Sequence, residues 1–231
     1  MLARSRTGSQ PVPSSRRPRW AGKLDVLNSL ELRDRRVARA VYGLPWDDFQ
    51  TPWAPLARAT LNTQVRMLEA LNLSGSERVL DIGTGVGYRA ALLGSLASNV
   101  WSVELSEAVA ASARRTLERA GCANVQVLVG DGSLGFSPNA PYDAIIVGGA
   151  CPDVPNQLIH QLAEGGRLVI PIGDALGQLV VRLCRHGLVV ESTTVAPCRL
   201  GPLEVRAEHP SRVPWQRLPA LGSHPLPPTR R

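Results

Sequence analysis

The chain has no apolar stretch approaching the roughly 20 residues a membrane-spanning helix needs, and its first residues lack the apolar core of a secretory leader. The expectation is a cytoplasmic protein without membrane contact. Its four cysteines, Cys122, Cys151, Cys184 and Cys198, form no CxxC pair and have no neighbouring histidine cluster. That spacing argues against a disulfide framework and against a zinc site, so they read as reduced, mostly buried thiols. Residues 1–22 contain no acid at all, only five arginines. Residues 206–231 add five arginines against a single Glu208, so the net charge of +7 resides in the two ends and leaves −2 on residues 23–205. Nucleic-acid binding is therefore not the leading expectation; an Arg- and Pro-rich tail is more often a solvated disordered end.

What is present is an α/β pattern. Residues 1–22 read as a disordered basic tail, 23–73 as a helical segment with an acceptor-side loop, 74–205 as the main domain and 206–231 as a Pro/Arg-rich tail. Leu27, Leu30, Val37, Val41 and Leu44 recur at near-helical spacing up to Pro45. Trp46 to Gln64, with Pro52 and Pro55, reads as an irregular segment whose aromatics either line a pocket or pack on a helix; Thr63 to Leu73 reads as a helix ended by Ser74-Gly75. Strands are expected at Arg78–Ile82, Asn99–Glu104, Val125–Val129, Ala144–Val147 and Arg167–Ile172. Helices are expected from the glycine turn to about Ala97, from the cap Ser106 to Ala120 with Gly121 closing it, and from Pro155 to before Gly165. Alternation of this kind means right-handed βαβ units and a parallel sheet. Two β-rich runs, Gln178–Cys184 and Leu188–Cys198, joined at Arg185-His186-Gly187, add an antiparallel edge.

The organising stretch is VLDIGTGVGY, Val79 to Tyr88: a strand closed by an acid, then Gly83, Gly85 and Gly87, then a helix. Glycines serve there because the backbone must approach a ligand closely and adopt positive φ, and the helix that follows turns its free N–H groups toward that ligand. In an open parallel sheet the ligand lies beyond the C-terminal strand ends. Three of those ends carry acids. Glu104 follows Gly87 by 17 positions, near the spacing of a carboxylate that accepts ribose hydroxyls. Asp131 with Gly132 is suited to an adenine edge, and Asp81 either orients the turn or faces a ligand amino group. Acids repel a pyrophosphate and attract a sulfonium and an ammonium, which favours S-adenosyl-L-methionine over a dinucleotide.

The motifs VLDIGTGVGY, VWSVEL, GDGSLG, APYDAIIV, LAEGGRLVIPIG and CRLGPL, in this order, resemble those of the protein-L-isoaspartate O-methyltransferase family, over about Asn62 to Leu203. The resemblance implies a Rossmann-like class I methyltransferase fold, with a mostly parallel seven-stranded sheet, helices on both faces and an antiparallel C-terminal edge. It implies S-adenosyl-L-methionine as methyl donor and a peptide or protein aspartyl or isoaspartyl carboxylate as acceptor. By position, Asp81, Gly83, Thr84, Gly85, Gly87, Glu104, Leu105, Asp131 and Gly132 would hold the cofactor; no metal is implied, and a monomer is expected.

One segment departs from the family. Where the family has a Thr-Ile-Ser-Gln-Pro-like run beside the acceptor, this chain reads Ala57-Arg58-Ala59-Thr60-Leu61-Asn62-Thr63-Gln64. Matching the threonines puts Asn62 at the serine position, and a gapless match puts Ala59 there. A carboxylate is already nucleophilic near neutral pH, so transfer needs alignment and desolvation rather than a base. Thr60, Asn62 or Thr63 would supply that alignment by hydrogen bonds. Two other readings compete: a dedicated aspartate O-methyltransferase that esterifies a ribosomally made peptide before succinimide closure, and a non-catalytic binding module on the same fold.

Overall fold

The computed structural model describes residues 32–44, 46–49, 58–206 and 212–213, all within the unit Leu32–Arg231. The expected N-terminal tail, Leu27, Leu30, Trp53 and nearly all of the C-terminal tail lie outside the described residues.

Helix α1, Arg35–Gly43, begins where the Asp34 carboxylate accepts the N–H groups of Arg36 and Val37, and it buries Val37, Ala40 and Val41. A 3-10 turn follows at Trp46–Phe49. Helix α2 runs Arg58–Leu71, starting five residues before the expected position and ending before Ser74. Pro52 and Pro55 suggested irregular chain up to Gln64, but nothing from Ala57 to Thr63 breaks a helix. Leu61, Val65 and Leu68, spaced four and three apart, give α2 a fully buried stripe. Asn72, at φ 49°, stops it in the left-handed region.

The strand and helix series continues with β1 Arg78–Ile82, α3 Tyr88–Gly94, β2 Asn99–Glu104, α4 Glu107–Arg119, β3 Val125–Val129 and β4 Tyr142–Val147. The first three strands match expectation residue for residue. The Ser106 hydroxyl caps α4 and Gly121, at φ 71°, follows its end. Helix α3 is shorter than expected, giving way to tight turns from Ser95 to Ala97.

Next come β5 Val154–Pro155, α5 Asn156–His160, β6 Leu162–Gly173, β7 Gln178–His186, β8 Val189–Cys198 and β9 Arg212–Val213. Pro155 does not open a long helix. It is extended and pairs with Arg212, leaving α5 only five residues. Strand β6 starts well before Arg167, because Gly165, at φ 69°, lets the strand bend without ending.

The seven-stranded sheet has the order β3-β2-β1-β4-β6-β7-β8. Every neighbouring pair from β3 through β6 is parallel, and β7 and β8 append as an antiparallel meander. This is the Rossmann-like class I methyltransferase architecture, with the antiparallel C-terminal edge expected from the chain. Right-handed crossovers put α3 and α4 on one face and α5 on the other. Strand order reverses between β1 and β4, which opens a crevice at their C-terminal ends. Leu80, Ile82, Ile145, Val147, Leu168 and Ile170 fill the core beneath one face of that crevice. Among the described residues, no helix is long and apolar enough to cross a membrane.

Candidate active site

Parallel pairing runs one residue past the strands. Gly83 N–H donates to the Val103 carbonyl at 2.8 Å, Gly130 N–H to that of Glu104 at 2.9 Å, and Gly148 N–H to that of Ile82 at 2.8 Å. Gly130, Glu104, Gly83 and Gly148 therefore stand side by side at the switch point, three of them without a side chain to obstruct a ligand. Gly83 and Gly87 adopt φ 84° and 88°, a region that penalises any Cβ.

Glu104 clamps the glycine turn. Its Oε2 accepts Gly85 N–H at 2.9 Å and its Oε1 accepts Ser106 N–H at 3.0 Å. Each oxygen keeps a further lone pair for a ligand hydroxyl. Asp131 Oδ1 accepts the N–H and O–H of Ser133, at 3.0 and 2.6 Å. Gly132 is buried against Ile82, whose Cγ2 a Cβ at position 132 would strike. The absence of a side chain there lets the turn after β3 sit on the end of β1.

Asp81 is fully buried on the α3 side of β1. Its Oδ1 accepts Arg89 Nε at 2.6 Å and its Oδ2 accepts the Ser102 hydroxyl at 2.6 Å. Ser102 has one proton and gives it to Asp81, so Thr84, 2.6 Å from Ser102 Oγ, is the donor in that pair. Of the two roles open to Asp81 from the sequence, its surroundings correspond to orienting the turn. Arg89 Nη2 also donates to the carbonyls of Ile82 and Gly83, at 2.8 and 2.9 Å. Arg89 was not among the residues expected from the sequence. Its signal was a lone arginine inside an Ala/Leu-rich helix, which when buried requires an acid.

The chain after β8 returns to the site. Ala150 N–H donates to the Gly201 carbonyl and Leu203 N–H to that of Ala150, both at 2.8 Å. Farther on, Arg206 N–H donates to Asp131 Oδ2 at 2.8 Å and its guanidinium reaches the Leu105 carbonyl at 3.4 Å. This strap crosses from the end of β4 to the end of β3. Beside it a cleft of about 590 Å³ is lined by residues that include Ala150, Pro152, Leu176, Cys198, Leu200 and Pro202.

Thr60, Asn62 and Thr63 lie on α2, not on a loop, and all three are half-buried. At about 100° per residue, Thr60 and Thr63 are about 60° apart around the axis, whereas Asn62 is about 160° from Thr60. One acceptor group cannot meet all three. The aromatic expectation resolves toward packing for Phe49, which is buried edge-on against Tyr88 with ring centroids 5.4 Å apart. All four cysteines are free, Cys151 and Cys184 buried, Cys122 and Cys198 half-buried; burial pushes the thiols of Cys122 and Cys198 up. Among the described residues no group of side chains is arranged to hold a metal.

The sequence model of the family described as Protein-L-isoaspartate(D-aspartate) O-methyltransferase (PCMT) matches residues 44–208. A protein-L-isoaspartate O-methyltransferase of Koribacter versatilis is 40% identical over 186 residues, 74% of this chain and 84% of that relative. One of Myxococcus xanthus is 40% identical over 201 residues, 79% of this chain and 94% of the relative. A solved protein-L-isoaspartate O-methyltransferase superposes with a TM-score of 0.69 at 26% identity, over 79% of this chain and 65% of that one. A putative Plasmodium falciparum counterpart, solved with S-adenosyl-L-homocysteine, superposes with a TM-score of 0.65 over 78% of this chain and 97% of its own; at 16% identity it shows the fold alone.

Proposed function

The chain belongs to the protein-L-isoaspartate(D-aspartate) O-methyltransferase family, and we propose that it esterifies the carboxylate of an isoaspartyl residue in peptides and proteins, with S-adenosylmethionine as methyl donor. The observation that carries this is the gathering of Glu104, Asp131 and the Gly83–Gly87 turn at the β1/β4 switch point. That donor set fits a nucleoside bearing positive charge. Glu104 has lone pairs for the ribose hydroxyls, Asp131 with Gly132 would take an amino-bearing base edge, and carboxylates favour the sulfonium and ammonium groups.

When bound, the donor supplies an electrophilic methyl group on sulfur. The chain's part is to align and dry the reacting carboxylate. No general base is required, since the acceptor is ionised near neutral pH. Thr60 and Thr63, on one face of α2, would hold the acceptor by hydrogen bonds. Helix α2 packs on β4, β6, β7 and β8, the part of the sheet on one side of the switch point. The cleft beside the 201–206 strap would take the flanking peptide. An ester formed there stands next to a backbone amide and is prone to close to a succinimide.

The test is mass spectrometry after incubating the protein with S-adenosylmethionine and two matched peptides, one aspartyl and one isoaspartyl. A base-labile gain of one methyl confined to the isoaspartyl peptide is the expected result. Equal methylation of both, or of neither, would overturn the isoaspartyl assignment and turn attention to a dedicated acidic peptide.

A further inference from the structure

We infer that Arg89 binds a carboxylate at the floor of the crevice, namely that of the donor's amino-acid end. The inference rests on the donor reading above. Arg89 is 5% exposed, and its guanidinium is divided between two tasks. Nε is taken by Asp81, and Nη2 by the carbonyls of Ile82 and Gly83. Among the described residues Nη1 has no hydrogen-bond partner. The buried nitrogens that lack a partner belong to Arg167 and Arg182; Nη1 is not one of them, so among the described residues it is left unpaired and in reach of solvent.

Its position is set by two glycines. Nη1 occupies the space a Cβ on Gly148 would fill. A Cβ on Gly83 would come within 4.0 Å of both Arg89 Nη2 and the Gly148 Cα. These are the residues that follow β1 and β4, so the open edge of the guanidinium lies where the sheet order reverses. A desolvated guanidinium edge with unused N–H groups is matched best by a carboxylate.

The chemistry of the donor supplies the need. Glu104 and Asp131 attract its sulfonium and ammonium groups, but they repel its carboxylate. A carboxylate lying in that crevice requires a partner. Asp81 neutralises the net charge of Arg89 when no ligand is present, which lets a cation be buried there at tolerable cost. The ligand then gains directed hydrogen bonds rather than a bare Coulomb attraction. The acceptor's carboxylate shares this chemistry, so the test must separate the two sources.

The experiment measures, by calorimetry, the affinity of S-adenosylhomocysteine and of 5′-methylthioadenosine, which has the same nucleoside and sulfur but no amino-acid end. The proteins are wild type, Arg89→Lys and the double variant Asp81→Asn/Arg89→Gln, which leaves no uncompensated buried charge. Both variants should weaken S-adenosylhomocysteine at least about tenfold more than methylthioadenosine, whose own loss reads the support that Asp81 and Arg89 give the turn, with the peptide KM unchanged. Equal weakening of both ligands would reduce Arg89 to a support of the turn and overturn the inference. So would unchanged binding of both. Unchanged S-adenosylhomocysteine binding with a raised peptide KM would assign the carboxylate to the acceptor and overturn it as stated. Failure of wild type to bind either ligand would instead overturn the donor reading.

Discussion

The backbone N–H of Arg206 donates to Oδ2 of Asp131 at 2.8 Å, joining residues 75 positions apart. One carboxylate thus holds two structures at once, the turn after β3 through Ser133 and the C-terminal strap through Arg206. Replacing Asp131 by Asn puts an amide N–H₂ group in competition with one of these donors. Hydrogen bonds to charged groups are worth about 1.5–3 kcal/mol. We expect Asp131→Asn to weaken S-adenosylhomocysteine binding by about tenfold or more in calorimetry, and to speed amide exchange at Leu203 and Arg206. Intact binding would remove Asp131 from the cofactor site.

Gly132 tests the packing of the same turn. An Ala there must push against Ile82 in the core beneath the crevice. Overpacking of this kind costs about 1–3 kcal/mol. Gly132→Ala should lower Tm by several degrees and lower donor affinity together, because the strain is relieved by moving the turn off β1.

Glu104 tests the clamp. Its two oxygens accept the N–H groups of Gly85 and Ser106. Glu104→Ala should leave the sheet intact and raise the donor KM about tenfold or more, since both the turn's anchor and the ribose acceptor are lost. A donor KM within twofold of wild type would contradict the assignment.

The acceptor residues are separated by helix phase. Thr60→Ala/Thr63→Ala should raise the peptide KM at least about tenfold, through the loss of two hydrogen bonds to a charged carboxylate. Asn62→Ala, on the opposite side of α2, should change it less than twofold. The reverse pattern would place the acceptor on the other face.

Glu77 gives the pH dependence of stability. Burial pushes its carboxyl up, but the N–H groups of Ser74 and Gly75 and the Ser74 hydroxyl outweigh this and hold it below its ordinary value of 4.5. A lowered folded-state pKa stabilises the fold above the ordinary value, and that contribution is lost as pH falls below it toward the folded-state value. Wild type should be more stable than Glu77→Gln in urea at neutral pH, and the difference should shrink on acidification through the ordinary range.

Much of this was legible in the chain itself. An apolar run bounded by an acid or a glycine marks where a buried strand must stop, so the ends of β1, β2 and β3 followed from Ile82, Glu104 and Val129 with their neighbours. Ser106 and Gly121 carried the limits of α4 in their own side-chain and backbone preferences. Because strand ends and turns are local properties, the glycine turn, Glu104 and Asp131 were recognisable as lying at neighbouring strand ends. The start of α2 at Arg58 was less so, since its Leu61 stripe gains meaning only against the sheet.

Partnership was decided by the tertiary structure. Asp81 meets Arg89 because the register sets it beside Ser102 on the α3 face, where an unpaired carboxylate would be costly. Arg206 meets Asp131 because the antiparallel meander brings the chain back over the parallel strands. Local sequence determines which residues end a strand or begin a helix, through backbone preference and burial period. Which distant group satisfies a buried acid or crosses a crevice is settled by packing, where pairing a polar group removed from water is weighed against every other placement of the chain.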